Sequence, residues 1–390
     1  VNFGQDSSFA GNKTAQGNTD ANGRGDFYYS PPAGFLALCS ANLPDPATSM
    51  NPAANNSPQD HFNTVLYTGN DSTNNITGVG FQPDLVWLKA RSSAKWHQLF
   101  DAVRGATKRI YSNDTSAEQT DATTLTSFDS DGFSLGNDDG SINGSGITHV
   151  GWNWKAGGSG VSNSDGTVTS TVSANTDAGF SIVTYTGDGA STTTIGHGLS
   201  KTPEFYIIKN RTDAGTSWLV DSNQLASGHY LLLDGTNGSG YAGLWGSGPT
   251  SSVITVTSNS QTNENTKDFV AYCFHSVEGF SKFGSYIGNG SEDGPFIYTG
   301  FRPAFLMWKN TGSSENWEMI DSTRDPHNES YHFLRPNLSN AEASGSVDGM
   351  DILSNGFKPR VAGGGWINAS GNTFLYMAFA EMPFKYANAR

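Results

Sequence analysis

The chain has 390 residues, 22 of them basic and 36 acidic, for a formal charge of −14. That balance disfavours a partner that must neutralise phosphates, so nucleic acid is excluded as a partner, and no run approaches the roughly 20 apolar residues of a membrane helix. Gly, Ser, Thr and Asn are abundant, Lys, Glu and Leu are scarce, and 12% aromatic residues argues against disorder; strands joined by many turns follow from that mixture.

In chain order, the start Val1-Asn2-Phe3-Gly4 resembles neither a signal peptide nor a tag and is read as a cut or a boundary inside a longer polypeptide. Residues 1–50 stand apart, with Gly- and Asn-rich turns leading to Phe27-Tyr28-Tyr29 and Pro31-Pro32, and are expected to form the last part of a β-sandwich. Residues 51–60, rich in Pro, Ala and Asn, read as a linker.

One pattern then recurs three times at intervals of about 100 residues. Tyr67-Thr68-Gly69, Tyr185-Thr186-Gly187 and Tyr286-Ile287-Gly288 open the copies, and a proline-led apolar run ending in Lys89, Lys209 or Lys309 follows. A tryptophan then precedes an aspartate: Trp96 with Asp101, Trp218 with Asp221, Trp317 with Asp321. The closing strands align Val150, Trp152, Trp154 with Val270, Tyr272, Phe274 and with Leu375, Met377, Phe379. The period is too long for a short solenoid unit, so each copy is expected to be a domain: 61–158, 179–278 and 279–390, with 159–178 a linker having some extended structure. The join at Glu278-Gly279 leaves almost no slack. Ala94 to Arg104 reads as one or two helical turns, and Asp129-Ser130-Asp131-Gly132 as hairpin punctuation. The expected fold is all-β: tandem antiparallel β-sandwich domains with little helix.

Motifs for chemistry are weak. The recurring lysines and aspartates lack a second recurring carboxylate or histidine and read as a structural ion pair or turn in each copy. His197 shares its register with Val79 and Thr299 and reads as a turn residue. The histidines show no zinc spacing, Cys39 and Cys273 encode no disulfide framework, and no cofactor is implied. Asp129-x-Asp131 and Asn137-Asp138-Asp139-Gly140 could offer oxygen ligands to calcium but lack the closing acidic residue of an EF-hand loop, so no metal is assigned. The aromatics between glycines are more telling. Tyr241 and Trp245 in Gly238–Gly246, and Trp366 after Gly363-Gly364-Gly365, are candidates to stack on a sugar ring, against the alternative of packing at an interface.

The run Gly80-Phe81-Gln82-Pro83-Asp84-Leu85-Val86-Trp87-Leu88-Lys89, with Ser127–Gly136 and Gly151-Trp152-Asn153-Trp154-Lys155-Ala156-Gly157-Gly158, resembles a repeat domain of tailed-phage virion proteins, especially those of marine phages and cyanophages. Asp26–Pro44 resembles the end of the SPRY or concanavalin-like module that precedes it. The resemblance implies a virion component, often of the tail-fibre type, placed on the particle, and gives no catalytic residues; the expectation built on it is a homo-oligomer, a trimer favoured, with other virion proteins and a host-surface glycan as partners. The alternative is a capsid-decoration or tail protein that contacts only other virion proteins. A polysaccharide depolymerase would need two carboxylates about 5–10 Å apart, and nothing in the sequence places such a pair.

Overall fold

The computed structural model describes residues 3–137, 140–344 and 349–387. The architecture is all-β, built of antiparallel sheets, and among the described residues the helical elements are five 3-10 turns. Each copy of the repeat makes the same two layers. The inner layer of the first copy is a four-stranded sheet ordered Phe62–Thr68, Thr148–Trp154, Leu85–Ala90, Gln98–Asp101. The third copy repeats it with Ser281–Ile287, Thr373–Pro383, Phe301–Asn310 and Trp317–Asp321. The second has Phe180–Thr186, Asp268–Phe274, Phe205–Asn210 and Leu219–Ser222, widened at both edges. Over each inner sheet lies a small outer sheet, three-stranded in the first and third copies and two-stranded in the second.

The copies are not separate beads. Every inner sheet is apolar on both faces, because side chains alternate along a strand and both alternate sets are hydrophobic here. One face packs on the copy's own outer sheet. The other faces the remaining two copies across one common core, which joins Trp87, Trp152 and Trp154 to Ile207, Tyr272 and Phe274 and to Phe305, Met307 and Phe379. Phe379 of the third copy contacts Phe62 of the first at 5.1 Å and Phe274 of the second at 6.0 Å between ring centroids. The expectation of domains each closed on its own core is thus replaced by three sheets that share one.

The opening signature has a local cause. Tyr67, Tyr185 and Tyr286 each donate their hydroxyl to a backbone carbonyl, of Ile142, Thr262 and Ile367, at 2.6–2.7 Å. The glycine two residues on is pressed against the same loop: a Cβ on Gly69, Gly187 or Gly288 would lie 2.2–2.3 Å from a carbonyl oxygen there. Buried Asn143, Asn263 and Asn368 complete each staple, accepting the next backbone N–H from Asn70, Asp188 and Asn289.

Outside the copies the expectations change more. Residues 3–50 contain no strand, only an isolated bridge of Asn18 with Phe27, so this stretch is not the strand-bearing end of a β-sandwich. The segment 51–60 is docked rather than a free linker: Met50 sits in the common core, and Tyr386 donates to Asn51. Within 159–178, Val161–Asn163 and Ser170–Asn175 extend the second copy's inner sheet. Ala94 to Arg104 forms the strand Gln98–Asp101 and a turn instead of a helix. The punctuation at 129–132 does turn a hairpin, pairing Leu125–Asp129 with Gly132–Leu135.

Strand register corrects one alignment. Lys309 pairs with Trp317; continuing the other two ladders by one residue sets Lys209 opposite Trp218 but Lys89 opposite His97, while Trp96 is 43% exposed. Leu85, Phe205 and Phe305 pair with Asp101, Ser222 and Asp321. The second copy therefore carries serine where the others carry aspartate, and Asp221 occupies the place of Phe100 and Ile320.

The lysines and aspartates do not pair with one another. Lys89, Lys209 and Lys309 donate to backbone carbonyls at their strand ends, and burial lowers them to about 7, 8 and 8. Asp101 and Asp321 pair instead with Arg104 and Arg324, three residues on and fully buried. Each pair is closed by a neighbouring copy. Tyr272 of the second copy donates to Asp101 at 2.8 Å, and Trp152 of the first to Asp321 at 3.0 Å. Glu118 and Glu342 extend the two clusters to Arg211 and Arg91 across the seams. Burial alone would raise both glutamates, but their arginines reverse this and hold them below the usual range.

The third seam is neutral. The equivalent positions hold Ser222, Leu225 and Met377, with the Ser239 N–H donating to the Thr311 carbonyl. Removing one partner of a buried pair leaves an uncompensated charge, so Arg104→Met and Arg324→Met should each cost about 3–5 kcal/mol in urea unfolding. A loss below about 1 kcal/mol would show that the ion pairs do not hold the seams.

Candidate functional site

The second copy departs from its siblings in one further way. Where the others carry a third outer strand, Leu125–Asp129 or Met350–Leu353, its chain runs through the glycine-rich stretch 238–249. A recess of about 470 Å³ opens beside that stretch, walled by Trp245 and Tyr206, with Glu204, Asp221, Ser222 and Asn223 among its polar groups. The neutral seam borders it, since Ser222 and Leu225 also line the recess.

Its floor explains why it is polar. Asp221 points toward the outer layer, as Phe100 and Ile320 do in the other copies, where those side chains are fully buried in their outer cores. Asp221 itself is 9% exposed. Burial pushes its carboxyl up to about 6, against the lowering influence of the Tyr206 hydroxyl and the Ser222 backbone. The Tyr206 hydroxyl is buried, has Asp221 as its neighbour, and makes no full hydrogen bond. Glu204 is held at one edge by the Ser276 backbone N–H at 3.1 Å. Two carboxyls and two aromatic rings thus converge on one opening, a combination typical of binding sites.

The three aromatic candidates separate. Trp245 is 3% exposed; its indole donates to the His229 carbonyl at 2.7 Å and its ring packs on Tyr206 at 5.3 Å. It is a core residue that shows the recess one wall, not a free platform, because the glycines around it let the loop fold inward. Trp366 is half-buried, stacked on Trp308 and edge-on to Phe333, and lids the third copy's outer core. Tyr241 is the exposed one, at 71%, set 5.6 Å from the His229 ring and against Gly228, which lines the recess. Tyr241 and Trp245 are therefore associated with one opening, and Trp366 with another copy.

The remaining candidates are structural. His197 is buried and its ring bonds within its own loop, to Leu199 N–H and beside the Thr250 carbonyl. Asp131 accepts the backbone N–H groups of Gly78 and Gly80, and Asp129 the hydroxyls of Ser127 and Ser134, so both are occupied by the hairpin. Asp138 and Asp139 lie outside the described residues. Among the described residues no cluster of His, Cys, Asp or Glu could hold a metal, and no helix is long and apolar enough to cross a membrane.

Sequence reasoning missed Asp221 and Glu204 as a site because Asp221 aligned with Asp101 by eye. Only the strand register shows that it replaces a hydrophobic residue. A buried carboxyl without a cation is destabilising, so Asp221→Ile, the residue of the third copy, should raise stability by about 1–3 kcal/mol in urea unfolding. A loss of stability would instead make Asp221 part of the framework.

No curated protein and no solved structure matches this chain. A family pattern does match, over residues 57–383, which takes in all three copies and leaves out the strandless N-terminal stretch. The chain belongs to that family, described as a domain of unknown function (DUF7483).

Proposed function

We propose that this chain is an appendage protein of a tailed-phage particle that holds a host-surface saccharide in the recess of its second copy. The observation that carries this reading is the exchange at one position. Of three sheets built on the same four-strand order, one gives up a packed hydrophobic side chain for a buried carboxyl beneath an open, aromatic-walled recess. Stability is lost there and exposed polar groups are gained, the trade made at binding sites. Ser222, Asn223, Ser227 and Ser247 offer hydroxyl and amide groups for a sugar, and the buried rings of Tyr206 and Trp245 bound the recess.

The reading differs from a fibre of equivalent adhesive beads. The recess belongs to one copy, so multivalent attachment would come from several chains on a particle. Threefold closure is already made inside one chain, and a homotrimer is not needed to bury the core. The alternative, a decoration or tail protein that touches only other virion proteins, is favoured by the packed rings of Trp245 and Trp366.

Titration of the protein with bacterial surface oligosaccharides, followed by tryptophan fluorescence, separates these. Saturable binding lost in a Trp245→Ala, Asp221→Ile double variant supports the saccharide reading. No binding by any of them, together with tight association with purified virion proteins, supports the alternative. Release of new reducing ends would make the recess hydrolytic, with Glu204 and Asp221 as its carboxyl pair.

A further inference from the structure

The charged groups of the recess are all of one sign. Glu204 and Asp221 line it, and no lysine, arginine or histidine is among its described walls. Neither carboxyl is in an ion pair among the described residues. At the two charged seams the opposite arrangement holds, whereas buried Asp84, like Asp221, has no paired cation among the described residues and is held by the Ala156 and Gly158 backbone N–H groups. Buried Asp101 and Asp321 each have an arginine three residues on, and half-buried Glu118 and Glu342 each meet two arginines. At the second copy Leu225 stands in the place of Arg104 and Arg324, on the side of Ser222, so Asp221 on the other face faces no cation from the described residues of its own chain. Tyr206 and Trp245, packed edge to face on each other, wall the recess beside the carboxyl.

We propose that the recess takes a ligand bearing a protonated amine, an amino sugar whose nitrogen is free and not acetylated, with that nitrogen at Asp221. This rests on the saccharide reading of the same site and names the class of sugar. The amine supplies the kind of cation that the chain provides at Asp101 and Asp321, where the described walls of the recess hold none. Anionic sugars are rejected, because a uronic or sialic carboxylate would meet two like charges. The groups facing Asp221 are the Tyr206 hydroxyl and the Ser222 backbone, with Glu204 across the opening. Because Asp221 is pushed up to about 6, an ammonium seated on it drives the carboxyl to ionise, and near pH 6 binding should release about half a proton per ligand to the buffer.

Calorimetric titration at pH 6 with the β-1,4-linked dimers of glucosamine, N-acetylglucosamine and glucose, and with methylammonium alone, tests this. The expected result is binding of the glucosamine dimer at least about tenfold tighter than the other two dimers, with proton release in buffers of different ionisation enthalpy. That preference should fall to within about twofold in Asp221→Asn and be retained in part in Glu204→Gln. Equal binding of all three dimers overturns the amine and leaves the saccharide reading standing. Methylammonium binding without preference among the dimers, or with no dimer bound, overturns the sugar instead. Binding of none of the four overturns both, provided the variants and parent share one far-ultraviolet dichroism spectrum.

Discussion

Everything in this fold depends on a sheet having two faces that must both leave water. The closing strands show it most plainly: Trp152 and Trp154, Tyr272 and Phe274, Met377 and Phe379 point one way, while Asn153, Cys273 and Ala378 point the other. A small outer sheet covers the second set. Nothing within a single copy covers the first. Two more copies do, and the third sheet closes the arrangement because each presents the same kind of apolar inner face. Burial of so many aromatic rings in one place is the main favourable term, and it accounts for tandem copies without the extended shape that tandem copies usually bring.

Symmetry of that kind would be complete if the three seams were alike, and they are not. Two are fastened by buried carboxylate–arginine pairs, each capped by an aromatic donor from the next copy and extended by a glutamate to a second arginine. Such pairs contribute little net stability but penalise any misplacement strongly, so they fix which copy sits against which. The third seam holds serine, leucine and methionine in place of the charged cluster and rests on packing and neutral hydrogen bonds, from Ser239 N–H to the Thr311 carbonyl, from the Trp317 indole to the Leu232 carbonyl and from the Ser285 hydroxyl to Gln224. The recess opens beside this seam. Freed from an arginine and from a third outer strand, the second copy has room for a cavity that its siblings fill with their own side chains.

The repeats, the all-β class and the three closing-strand alignments were legible because they rest on period-2 patterns within short runs, where register is fixed by the residues themselves. The hairpin at 129–132 was legible for the same local reason. What the sequence did not yield is non-local. Arg104 and Tyr272 meet at Asp101 from different copies, and no spacing rule joins them. Trp96 appeared to match Trp218 and Trp317 because tryptophan stands out by eye. A loop of different length puts His97 just before the strand instead, its ring accepting from Trp87 and stacked on Trp152. Glycine neighbours suggested exposure for Trp245, yet the same glycines let the loop fold its ring inward. Asp221, the buried carboxyl of the recess, was visible in the sequence but in the wrong register.

The central claim is that three copies form one cooperative unit about one core. Differential scanning calorimetry of the whole chain tests it most directly, through the ratio of the calorimetric to the van't Hoff enthalpy of unfolding. A shared core predicts a single transition with a ratio near one. Three resolved transitions, or a ratio near three, would mean that each copy unfolds by itself and that the common core does not couple them.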